Sequence, residues 1–208
     1  MTTGVARSAE AGLLGFDSLA FLTPAQLDAA VSFGMKWIGC YLEVITPAYV
    51  AAVHKAGLAI SPICEARTSQ LSATLGVSSA ATEVGRLTAL DCPTGVHVTI
   101  DLEAVQGTAQ DAMDYVNAFA LGLNNAKFPD TLYIAQPMPL TGAQIYSLPR
   151  THLYWSGASD NPDISCGYSI FQGLPIDYKP AWTLGAEIDL DIIFTDRRGR
   201  LPTLWYPS

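Results

Sequence analysis

The sequence predicts one compact (β/α)8 barrel, a TIM-like fold in which a parallel sheet closes on itself inside a ring of helices. Three observations predict it. Half of the 208 residues are hydrophobic and only 14% are charged, with a mean hydropathy of +0.25. Parallel strands covered on both faces absorb such a composition. Short β-type runs alternate with helical stretches, the pattern of successive βα units. Eight such runs can be counted, which favours a closed barrel over an open doubly wound sheet.

The elements follow in order. Leu14–Asp17 is the first expected strand. Thr23-Pro24 then starts a helix running to about Phe33, with threonine as N-cap and proline at the first helical position, and Gly34 stops it. Trp37–Leu42 is the second strand, and Thr46-Pro47 repeats the cap before a helix ending at Gly57. Leu58–Cys64 and His97–Leu102 are the third and fourth strands, flanking a helix over Ser78–Leu90. A long helix over Thr108–Leu123 leads to the fifth strand, Leu132–Ala135, followed by a weaker helix around Gly142–Ser147. Leu153–Trp155, Tyr168–Phe171 and Ile188–Ile192 complete the set. Ser156–Gly167 has little helical character, so the helices of the second half are expected to be degenerate. A flexible segment over 1–12 precedes a single domain over 13–208. The rival architecture, an open Rossmann-like sheet, is weakened because no GxGxxG or Walker glycine loop follows a strand.

Charge and cysteine usage narrow the function. A net charge of −8 disfavours nucleic acid, which calls for a basic footprint. Arg197, Arg198 and Arg200 form the one tight basic cluster and read as a solvated turn. No apolar run approaches the ~20 residues of a membrane span. Met1–Gly12 lacks the apolar core of a signal peptide, so synthesis and residence in a cytoplasm are expected. Cys40, Cys64, Cys92 and Cys166 contain no CxxC pair, and buried free thiols are expected rather than a disulfide framework.

In a barrel of this kind chemistry sits at the C-terminal ends of the strands. The expected strand ends carry Asp17, Glu43, Glu65, Asp101, Glu103, Gln136 and Gln172, with Asp189 and Asp191 on the last strand. Asp101 and Glu103 are the sharpest pair. Residues two apart on a strand share a face and lie roughly 6.8 Å apart. Ile100 and Leu102 would then face helices while the two carboxylates face the barrel mouth. Such a pair suits acid/base work on a glycosidic bond, one carboxyl protonated and one ionised. The plainer alternative is an acidic pair that caps a loop or pairs with Arg67, and Glu43 and Glu65 taken singly are more readily structural. Asp17, Asp101, Glu103, Asp189 and Asp191 could also hold a hard cation. His54, His97 and His152 lack metal-ligand spacing, and the last two stand at strand starts, the wrong end of the barrel. No metal and no cofactor is expected. No GxSxG elbow supports a nucleophilic serine. Tyr41, Tyr133, Tyr154, Trp155 and Phe171 read mainly as core, with stacking on a sugar ring as the alternative for Tyr41 and Trp155.

Gly15-Phe16-Asp17, Asp101-Leu102-Glu103, Phe171-Gln172 and Ile188-Asp189-Leu190-Asp191 together resemble the family 25 glycoside hydrolases. These are barrel lysozymes that cut peptidoglycan between N-acetylmuramic acid and N-acetylglucosamine. Gly15-Phe16-Asp17 through Thr23-Pro24, with Trp37–Leu42, Thr46-Pro47 and Ala56-Gly57-Leu58, is similar to a related group. That group is the glycoside-hydrolase-like domains of actinobacterial proteins and phage endolysins. The resemblance runs from Leu14 to Phe194. It implies Glu103 as general acid, with Asp101 orienting the acetamido group or stabilising an oxazolinium-like charge. It also implies that Asp17 joins them and that Asp189 lines the same mouth. Asp191, Glu65, Tyr41, Gln136, Trp155 and Gln172 complete the expected substrate-binding set. The related group commonly has arginine where Cys40 stands and aspartate where Glu103 stands; the glutamate moves this chain toward the lysozyme pattern.

The expected function is that of a monomeric, muramidase-type endolysin made in the host cytoplasm and acting on the cell wall after release. Its expected partner is peptidoglycan or a related polysaccharide, with neither membrane nor nucleic acid. The alternatives are a non-catalytic carbohydrate-binding barrel of a phage or wall-associated protein, and a glycosidase of another polysaccharide.

Overall fold

The computed structural model describes residues 4–65, 71–103, 107–173, 186 and 188–208. The strands are β1 Val5–Ser8, β2 Leu14–Ser18, β3 Trp37–Tyr41, β4 Ala59–Glu65, β5 Val98–Leu102, β6 Asp130–Ile134, β7 Leu153–Ser156, β8 Ile170–Gln172, β9 Asp189–Ile193 and β10 Thr203–Tyr206. The helices are α1 Pro24–Ser32, α2 Pro47–Ala56, α3 Ala73–Ala89, α4 Ala109–Asn125 and α5 Gly142–Tyr146.

Strands β2 to β8 are parallel neighbours, β9 joins β8 to β2, and the ring closes into an eight-stranded barrel. The last barrel strand departs from a strict (β/α)8 plan. β9 runs antiparallel to both neighbours, with Asp17 opposite Asp189 and Gln172 opposite Asp191. Its start, not its end, therefore lies at the mouth. No helix occupies the described residues between β7 and β8, in keeping with a degenerate second half.

The N-terminal segment corrects the sequence reading. Val5–Ser8 is not a loose lead-in but strand β1, paired antiparallel along its length with β10, which the sequence did not suggest at all. β10 in turn pairs with the lower end of β4, Trp205 opposite Ile60, while the upper end of β4 pairs with β5. The ribbon thus fills the gap where β4 and β5 splay. The His97 N–H donates to the Thr203 carbonyl at 2.9 Å, and the Thr203 N–H donates to His97 Nδ1 at 3.0 Å.

Local chemistry explains the helices. Thr23, Thr108 and Thr141 each accept from the backbone three residues on, and Gln26, Asp111 and Gln144 return the bond as capping boxes. Gly57 ends α2 at φ 90°, a conformation that glycine adopts without strain. Helix α3 begins at Ala73, five residues before the sequence places it, with Ser72 as its cap. Gly76 weakens the helix signal there, yet it serves packing. A Cβ on Gly76 would stand 2.4 Å from the Tyr115 carbonyl oxygen of α4, and one on Gly122 would stand 2.4 Å from the Ala80 Cβ. The two long helices therefore approach through their glycines.

The core has two layers. Outside the sheet, Phe16, Ile38, Ile60, Ile100 and Leu132 pack against Leu27, Val53, Leu87, Phe119 and Leu123 of the helices. Inside the barrel, Trp37, Ile63, Tyr133, Trp155, Ile170, Ile193 and Leu204 fill the space. Trp155 meets both Trp37 and Tyr133 edge-to-face at 5.6 Å. Gly15 leaves the room that the Trp37 indole occupies. All four cysteines are buried free thiols. Among the described residues, no helix is long and apolar enough to cross a membrane.

Candidate active site

Above the aromatic plug, alternation along the strands turns polar side chains toward the barrel axis. A pocket of about 210 Å³ opens at the mouth, lined by Asp17 and Ser18 of β2, Tyr41 of β3, Glu103 just past β5, Tyr133 of β6, Gln172 of β8 and Asp189 of β9, with Leu19 and Ala20 at the rim. Among the described residues, no lysine or arginine lines it.

Asp101 lies 1% exposed on β5, outside the pocket lining, and accepts a hydrogen bond from the Tyr41 hydroxyl at 3.3 Å. Burial and the Asp101 charge push the Tyr41 phenol well above its ordinary range, so it stays a neutral donor. Asp17 is 6% exposed. Its carboxyl is raised to about 7, first by burial and next by the charge of Asp189, against the hydrogen bonds it receives from Asp191 and Gln172. Gln172 is held at both ends: its Nε2 donates to Asp17 Oδ2 at 3.3 Å, and its Oε1 accepts from the Tyr133 hydroxyl at 2.7 Å and the Ala158 N–H at 3.0 Å. A Cβ on Gly39 would stand 2.7 Å from the Asp17 Cβ, so the glycine of β3 makes room for that carboxylate.

The sequence thus brought Asp17, Glu103, Asp189, Tyr41 and Gln172 to one pocket, with Asp101 bonded to its wall. Other candidates lie elsewhere. Asp191 is fully buried, because β9 runs down from the mouth and carries its second aspartate below the floor. Trp155 is also fully buried, its Nε1 donating to Asp191 Oδ1 at 3.1 Å, so it offers no face to a sugar. Gln136 turns back on its own loop, its Oε1 accepting from the Met138 N–H at 3.1 Å. Glu65 ends β4 outside the pocket lining, its N–H donating to Glu43, which also pairs with Arg86 at 3.3 Å. Arg67 lies outside the described residues. Tyr133 and Ser18 were not foreseen in the site. For Tyr133 the signal was present, since Leu132 and Ile134 on either side are apolar and face the helices.

A larger groove of about 1060 Å³ runs along the outside of the barrel beside Tyr168, Phe171 and Phe194. Of its acids, Asp163 and Asp196 are engaged by Arg197 and Arg200, at 3.3 and 2.7 Å, and Asp160 also lines it. The smaller pocket gathers Asp17, Glu103 and Asp189 at the barrel mouth. A crowded set of carboxyls in a semi-enclosed cleft keeps some protonated beside others ionised, which is what acid/base cleavage requires.

Comparison with known proteins agrees with this fold. The model of the Rv2525c-like, glycoside hydrolase-like domain matches residues 24–160. No curated protein sequence matches. Among solved structures, an uncharacterized B. stearothermophilus protein superposes with a TM-score of 0.70 at 18% identity, over 90% of this chain and 97% of that one. The Mycobacterium tuberculosis Tat-secreted protein Rv2525c, in complex with L-tartrate, gives 0.64 at 13% identity, over 90% and 100%. The bacterial lysozyme from Streptomyces coelicolor gives 0.57 at 10% identity, over 89% and 93%. At such identities the likeness is one of fold.

Proposed function

The chain belongs to the Rv2525c-like, glycoside hydrolase-like family, and from that premise we propose that it is a glycoside hydrolase that cuts the glycan strands of peptidoglycan. The observation that carries this reading is the convergence of Asp17, Glu103 and Asp189 in one barrel-mouth pocket, with Asp101 fixed to its wall by Tyr41. In it, Glu103 donates a proton to the glycosidic oxygen as the bond breaks. Asp101, oriented by the Tyr41 hydroxyl, assists by holding the acetamido group or stabilising the positive charge that develops at the sugar, until water adds to the anomeric carbon and completes the hydrolysis. Asp17 and Asp189 place negative charge on the remaining side of that centre. The lysozyme resemblance of Asp101-Leu102-Glu103 supports cleavage on the muramic acid side. Release to the wall from a producing cytoplasm, as by an endolysin, and action as a monomer complete the reading.

The test is product analysis. Purified walls digested with the chain, then borohydride-reduced and hydrolysed, are expected to yield muramicitol. Glucosaminitol instead would identify a glucosaminidase, and no new reducing ends from several wall types would leave the non-catalytic carbohydrate-binding barrel as the reading.

A further inference from the structure

Beneath the pocket floor Asp191 has no contact with solvent. One of its oxygens accepts from Trp155 Nε1 at 3.1 Å. The other, Oδ2, meets no N–H or O–H donor among the described residues. Across the antiparallel β2–β9 pair, one pleat up the neighbouring strand, lies Asp17, whose carboxyl interacts with that of Asp191. Two carboxyl groups can share a hydrogen bond only if one of them holds a proton. Asp191 is the more deeply buried of the two, and that burial favours its neutral form over the opposing effect of the indole N–H.

We propose that Asp191 is a positioning residue: a neutral carboxylic acid that donates its proton to Asp17 and so fixes that carboxylate toward the pocket. This deepens the reading above and relies on it for the role of Asp17, not for the proton. Trp155 anchors the donor from below, and Gln172 supplies the second bond to Asp17 from β8. The titratable groups around the pair are Asp189 on β9, Glu103 beyond β5, Tyr41 on β3 and Tyr133 on β6. Among the described residues none of these is a cation, and this crowding of acids favours keeping a proton on the pair. Burial and the charge of Asp17 both raise the Asp191 carboxyl well above the usual carboxylate range. Trp155 and Asp191 were both expected to touch substrate; their work is instead to hold Asp17 from underneath.

The test needs no turnover. In the full chain labelled with 13C-carboxyl aspartate, the Asp191 resonance, assigned by its loss in Asp191→Asn, is expected to titrate well above the usual carboxylate range and above the Asp17 resonance. A midpoint below pH 5 would overturn the proposal. Two variants read the donor role through Asp17. The amide of Asp191→Asn still donates, whereas Asp191→Leu cannot, so the Asp17 midpoint is expected to be higher in the leucine variant than in the asparagine variant. Equal midpoints would also overturn it. Should the leucine variant not fold, the wild-type titration decides. A positive result with no hydrolysis of any wall would leave the proton assignment standing and reject only the enzymatic reading.

Discussion

At the floor of the barrel, His97 Nδ1 accepts from the Thr203 N–H, His54 Nε2 meets the Trp205 carbonyl at 3.2 Å, and His152 pairs with Asp130 at 3.0 Å. Each is a titratable group hydrogen-bonded or paired with a partner, and the β1–β10 ribbon supplies that partner to His54 and His97. At the mouth, Asp17, Glu103, Asp189 and the underlying Asp191 are like groups set against one another. The floor is built for stability. The mouth accepts unfavourable electrostatics, and such strain gathers where chemistry is done.

The contrast can be broken or sharpened by substitution. The largest effect is expected at the mouth: Asp17→Asn should lower wall hydrolysis on the order of 10²-fold through loss of charge stabilisation. Its thermal midpoint should not fall at pH 7, since it relieves a crowded acidic site; a drop of several degrees would mark Asp17 as structural. At the floor the pattern should reverse. Trp205→Ala removes a side chain 1% exposed and should destabilise the fold by about 3–5 kcal/mol in urea unfolding, while the protein that remains folded hydrolyses walls normally.

The two ends should also respond to pH with opposite sign. Burial lowers the His97 imidazole to about 4. Its neutral form is the folded one, so its contribution is full above its unfolded value near 6.5 and is lost as pH falls toward 4, by roughly 3 kcal/mol in all. His97→Gln should flatten that acid limb. The Asp17–Asp191 pair titrates upward from the usual carboxylate range, so its contribution is full below about pH 4 and fades as pH rises through about 7. Asp191→Asn should flatten this second limb and leave the first. The smallest effect is remote from both ends: Thr23→Ala removes the α1 capping box and should lower stability by about 1 kcal/mol at every pH.

The barrel was legible in the sequence because its signals are local. Thr23-Pro24, Thr46-Pro47 and Gly57 punctuate helices by chemistry that needs no tertiary partner. Strand direction has no such local signature: Ile188–Ile192 reads the same up or down, so the antiparallel β9 and the descent of Asp191 beneath the floor were not visible. β1 and β10 were missed for a related reason, since each is four residues long and is defined by pairing with the other across the chain. Alternation along the strands sufficed to bring Asp17, Glu103 and Gln172 to one pocket. It failed where depth mattered: Trp155 and Asp191 point inward as expected but stand one layer too low to meet a ligand.

The central claim is that the acids at the mouth cut glycan, and loss of turbidity of purified cell walls tests it most directly. Wild type should clear them, and Glu103→Gln, with an unchanged thermal midpoint, should be slower by about 10²–10⁴-fold. Equal rates for the two proteins, or no clearing by either across several wall types, would contradict it.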